Sequence, residues 1–127
     1  MDYITDAREF LNNYYSTFST LDIESITPFF QEPCIFVSPQ GVVAPQTADD
    51  VKDVFKLIAD GLRSKAYGRS ELINLKVQRL SDTTMLASGI ADRYKANGEE
   101  LERVGVTYVL QKSGDGWKIA VTVIHDA

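Results

Sequence analysis

The hydrophobic period of this chain changes at Gly68, and that change limits what it can fold into. Before it, apolar residues recur at helical spacing. Ala7, Phe10, Leu11, Tyr14 and Phe18 form one stripe, and Val51, Val54, Phe55, Ile58 and Leu62 form a clearer one. After it the period is two. Ile73, Leu75 and Val77 alternate with Asn74, Lys76 and Gln78, and Thr84 to Lys95, Leu101 to Lys112 and Trp117 to His125 each read as a strand. Asn97-Gly98 is a strong hairpin signal, and Gly114-Asp115-Gly116 turns the chain again. Helices placed ahead of a run of hairpin-linked strands mean an α+β fold.

The first half carries its own punctuation. Asp6 and Glu9 have capping-box spacing and predict the start of the first helix there. Asp22 predicts a second, short helix that Pro28 loosens near its end, because proline removes a helical hydrogen bond. Pro33 to Pro39 reads as a strand with Phe36 pointing inward, Gln40-Gly41 as a turn, and Val42-Val43-Ala44 as a short strand stopped by Pro45. Thr47 and Asp50 repeat the capping spacing ahead of the third helix.

A chain of 127 residues with 44% hydrophobic and 24% charged residues suits one globular domain, 1–127, with a core of its own. Eighteen acids against thirteen bases give a net charge of −5. An acidic surface argues against nucleic acid as a partner, since phosphate binding needs a basic one. Met1 to Asp6 has neither the basic nor the apolar region of a leader, and no apolar run is long enough to cross a membrane, so a soluble, cytoplasmic protein with no membrane partner is expected. The single cysteine, Cys34, sits in an apolar run and is expected to be a buried, inert thiol. One cysteine and one histidine give no metal-ligand spacing, so neither a metal nor another cofactor is expected. No glycine-rich phosphate loop is present.

Turn lengths predict which side chains share a face. A two-residue Asn97-Gly98 loop pairs Ala96 with Glu99, and hence Arg93 with Glu102 and Asp92 with Arg103. A two-residue Gly114-Asp115 loop pairs Ser113 with Gly116, Tyr108 with Val121 and Val104 with His125. An odd loop at Ser81-Asp82-Thr83 pairs Val77 with Ala87 and Glu71 with Arg93. One face then collects Ile73, Leu75, Val77, Met85, Ala87, Gly89, Ala91, Val104, Val106, Tyr108, Leu110, Ile119, Val121 and Val123, and is expected to be concave. Glu71, Arg93, Glu102 and His125 fall on that face toward one end. They read either as a structural ion-pair network or as the polar end of a ligand site. The expected pocket is lined by Tyr14, Phe36, Phe55, Arg93, Tyr108, Val121 and His125. The other face carries Leu86, Ser88, Ile90, Tyr94, Thr107, Val109, Ala120, Thr122 and Ile124.

The element order, with Trp117-Lys118-Ile119 after the Gly-Asp-Gly turn and Glu32 to Gly41 as first strand and turn, resembles the nuclear transport factor 2-like superfamily. Within it the chain looks most like the polyketide-cyclase-like (SnoaL-like) branch. The resemblance implies a cystatin-like cone, a curved antiparallel sheet wrapped around helices, with a pocket at the wide end. It also implies a homodimer through the convex sheet face, and the face assignment above puts Thr107, Thr122 and Ile124 near the expected centre. Isomerases of the superfamily place an acidic base just before a proline after the first strand. Here that position is Ser38, ahead of Pro39, and a serine is not expected to serve as that base. Three functions follow as expectations. The first is a pocket domain for a small, mostly apolar ligand, with an anionic end near Arg93. The second is an isomerase, dehydratase or cyclase using His125 or a tyrosine with Glu71 or Glu102. The third is a non-catalytic homodimerisation domain.

Overall fold

Helix α1 spans Tyr3–Ser19 and starts one turn earlier than the Asp6 spacing predicts, because Asp2 is its cap. The Asp2 carboxylate accepts from the Ile4 and Thr5 amides, satisfying donors that the helix start leaves free. The structure is a computed structural model in which residues 2–114 and 116–127 are described. Met1 and Asp115 lie outside them, and with Asp115 the middle of the turn expected at Gly114-Asp115.

Helix α2 (Ile23–Ile26) is short, and Pro28 sits in the 3-10 turn Thr27–Phe29 that ends it. Strand β1 covers Phe30–Ser38 and strand β2 Gly41–Val43. Helix α3 (Ala48–Arg63) is capped by the Thr47 hydroxyl, which accepts from the Asp50 amide at 3.2 Å. Four strands follow: β3 (Tyr67–Ser81), β4 (Thr84–Lys95), β5 (Glu100–Ser113) and β6 (Gly116–His125).

The six strands form one sheet in the order β2-β1-β6-β5-β4-β3. The fold is α+β as expected, but the sheet is mixed rather than wholly antiparallel, because β1 runs parallel to β6. The ladder between them breaks between Phe30 and Ile35, the stretch that holds Pro33, which has no amide hydrogen to donate. The apolar stripes of α1 and α3 pack on the concave side. Leu11, Tyr14, Tyr15, Phe18, Val51, Phe55 and Leu62 are buried together with Met85, Ala87, Ala91, Val106, Tyr108, Leu110 and Ile119 of the sheet.

Two extra residues change the face assignment. On β3, Val77 pairs with Ala87 as expected, but the register shifts between Ile73 and Lys76, where Asn74 takes φ +56°. A one-residue shift turns every side chain beyond it, counted away from the hairpin turn, to the opposite face. Ser70, not Glu71, is therefore opposite Arg93. Glu71 stands opposite Asp92 and Ile73 opposite Ile90, both on the outer face. On β6, Ser113 pairs with Gly116 and Leu110 with Ile119, but Val109 then pairs with Val121. Beyond this bulge Thr122 and Ile124 turn inward, while Val121, Val123 and His125 turn outward. The β4–β5 register holds: Arg93 faces Glu102 and Asp92 faces Arg103. The Asn97-Gly98 tip differs from a two-residue loop, since Lys95 bonds Glu99, and an extra residue at Leu101 restores the expected pairing.

Candidate functional site

A cavity of about 320 Å³ remains between the helices and the concave sheet face. Its wall is built from Tyr14, Tyr15 and Phe18 of α1, Phe36 to Ser38 of β1, and Val54, Phe55 and Ile58 of α3. The sheet supplies Ser70, Ala91, Arg93, Val106, Tyr108, Thr122 and Ile124. The α1 aromatics narrow the cone without filling it. Tyr14 packs edge-on to Tyr108 with centroids 6.2 Å apart, and Phe36 edge-on to Phe55 at 5.7 Å. Ala91 contributes little volume, so the space over it stays open.

The polar groups are few. The hydroxyls of Tyr15 and Tyr108 are hydrogen-bonded at 2.7 Å. Burial pushes the Tyr15 phenol up to about 12 and holds Tyr14 and Tyr108 well above the usual phenol range. All three are therefore protonated across the physiological range and act as hydrogen-bonding groups, not as bases. Arg93 Nη1 donates to Glu102 Oε1 at 2.7 Å, and the Phe18 ring lies 5.9 Å from the guanidinium carbon. Two buried polar atoms on cavity residues have no protein partner: Arg93 Nε and Thr122 Oγ1. Thr122 is only 5% exposed.

Of the residues predicted for the pocket, Tyr14, Phe36, Phe55, Arg93 and Tyr108 line the cavity. Val121 and His125 do not, for the bulge places them on the outer face. The His125 ring lies over Gly105, with Nε2 3.1 Å from Thr107 Oγ1 and Nδ1 2.9 Å from the Asp126 carbonyl. Glu71 is also outside, 3.3 Å from Arg69. The expected cluster of Glu71, Arg93, Glu102 and His125 thus reduces to Arg93 and Glu102. Ser38 is at the cavity mouth, where its hydroxyl donates to Gln40 Oε1 at 3.0 Å. Sequence parity misses Thr122, Ile124 and Ser70 because bulge positions decide their faces. The inward turn of Thr122 and Ile124 also removes them from the outer patch expected around Thr107.

Cys34 is buried, and burial raises its thiol to about 11, so it is neutral at ordinary pH. Among the described residues, no group of three or more His, Cys, Asp or Glu is placed to hold a metal ion, and no helix is long and apolar enough to cross a membrane.

Comparison with known proteins agrees with this architecture. Three solved structures superpose on nearly the whole chain. Aln2 from a Streptomyces species has a TM-score of 0.81 at 16% identity, over 98% of this chain and 90% of that one. A Nostoc punctiforme protein of unknown function with a cystatin-like fold gives 0.79 at 11%, over 95% and 88%. An NTF2-like protein with a cystatin-like fold from Novosphingobium aromaticivorans gives 0.78 at 10%, over 95% and 79%. Identities this low establish the fold alone. No curated protein matches. The pattern that defines the family described as NTF2-like protein (DUF6841) matches residues 5–127, and the chain belongs to that family.

Proposed function

We propose that this protein is a small-molecule pocket domain whose ligand is mostly apolar, aromatic in shape, and carries polar groups. The observation that carries the reading is one aromatic-walled cavity of about 320 Å³ whose lining includes the polar side chains Arg93, Tyr108 and Thr122. A mostly apolar concave site with a few convergent polar groups is the usual form of a ligand pocket. The resemblance to the SnoaL-like branch favours the same reading.

The isomerase, dehydratase or cyclase reading has less support. His125 is outside the cavity, Glu102 is engaged with Arg93, and the three cavity phenols stay protonated. The test is titration with the fluorescent apolar probe 1-aminoanthracene. Saturable binding that is lost in Ile58→Trp, which fills the cavity from α3, supports the proposal. Unchanged binding in that variant refutes it.

Homodimerisation through the outer sheet face remains a proposal. It is supported by contiguous cross-strand rows of Leu86, Val109 and Val121 and of Ser88, Thr107 and Val123, all half-buried. Val121→Arg is expected to give monomers in sedimentation, and an unchanged dimer mass refutes this interface.

A further inference from the structure

We infer that the Arg93 end of the cavity selects an uncharged hydrogen-bond acceptor, such as the carbonyl of an aromatic ketone, ester or amide, and that Glu102 imposes this choice. The inference rests on the pocket reading and replaces the anionic end expected from sequence. Arg93 is the only cationic side chain lining the cavity among the described residues. Its charge is already met: Nη1 is 2.7 Å from Glu102 Oε1, with the two side chains only 18% and 32% exposed. Arginine with glutamate sums to zero. A carboxylate entering here loses its hydration and gains no net positive charge, while it approaches the Glu102 carboxylate.

A neutral acceptor meets no such penalty. Arg93 lines the cavity, and its guanidinium has more N–H donors than the one Nη1 gives to Glu102, so it can supply the bond that a carbonyl oxygen needs. Phe18 covers the guanidinium, so water competes poorly for that donor. Tyr108 of β5 and its cross-strand partner Thr122 of β6 also line the cavity with neutral hydroxyls. These too accommodate a dipole without a charge.

The test uses three probes with one naphthalene body. They are 2-acetylnaphthalene, a neutral acceptor; 2-naphthoate, an anion; and 2-ethylnaphthalene, which has no acceptor. Wild-type protein is expected to bind the ketone tightest, about tenfold ahead of the naphthoate, the scale of one unbalanced charge near a partly screened partner. Glu102→Gln frees the arginine charge and is expected to improve naphthoate by about tenfold while moving the ketone by less than about threefold. Arg93→Met is expected to erase the ketone's advantage over the ethyl compound. If wild-type binds naphthoate tightest, or if Glu102→Gln folds and leaves the naphthoate-to-ketone ratio unchanged, this inference falls while the pocket stands. If none of the three probes binds, the pocket reading falls with it. The wild-type order alone decides the matter should Glu102→Gln fail to fold.

Discussion

Tyr15 of α1 and Tyr108 of β5 meet hydroxyl to hydroxyl at 2.7 Å across the buried centre of the protein. The bond ties the helix to the sheet floor and fixes one wall of the cavity. Each hydroxyl is the other's partner, so removing one alone leaves an unsatisfied buried group. Tyr15→Phe and Tyr108→Phe are each expected to lose about 1–3 kcal/mol in urea unfolding, and the double variant to lie closer to wild type than either. Additive losses contradict this account of the pair.

The same phenols make stability sensitive to alkali. Tyr15 is raised by burial from the ordinary 10.0 to about 12 in the folded chain. Below the unfolded value the phenol is neutral in both states, and its share of stability is complete. As pH rises from 10 toward 12, the unfolded chain releases its proton first and stability falls. Absorbance titration of phenolate is expected to show Tyr14, Tyr15 and Tyr108 ionising above the ordinary phenol range, together with loss of near-ultraviolet dichroism. Ionisation of these three near 10 with the fold intact contradicts the burial.

Two glycines are expected to respond with opposite sign. A Cβ on Gly89 would lie 2.9 Å from the Ile73 carbonyl oxygen, because the β3 bulge presses on β4 there, so Gly89→Ala is destabilising. Gly61 lies in α3 with nothing within 4 Å of an added methyl, and Gly61→Ala is expected to stabilise by about 0.5–1 kcal/mol through the lower entropy of the unfolded chain. Thermal unfolding of the two variants checks both signs.

His125→Gln is expected to leave probe binding in the cavity unchanged, since the imidazole packs on Gly105 outside it. A weakening beyond about threefold, a shift near 0.6 kcal/mol, contradicts the outward placement.

Much of this architecture is legible in the residues. The change of period at Gly68 separates helices from sheet, and the β4–β5 pairing of Arg93 with Glu102 and Asp92 with Arg103 follows from hairpin parity. The start of the first helix is misread because Asp6 and Glu9 imitate a cap that Asp2 provides. Parity puts Glu71, Val121 and His125 on the wrong face for one physical reason. Alternation propagates from a turn only until a bulge adds a residue, and nothing beyond Asn74, a residue type that tolerates positive φ, marks such a site in the chain. Thr122 becomes a cavity residue only through the β6 bulge, so its orphaned hydroxyl is out of reach of sequence parity.

The central claim is that the cavity itself takes up a ligand, and isoleucine methyl spectra test it most directly. Ile58 and Ile124 line the cavity, while Ile4 is exposed on α1 and Ile90 lies on the outer sheet face. On titration with 2-acetylnaphthalene, the δ1-methyl signals of Ile58 and Ile124 are expected to shift through the ring current, while those of Ile4 and Ile90 stay in place. Shifts confined to Ile4 or Ile90, or no shift at all, would contradict the account.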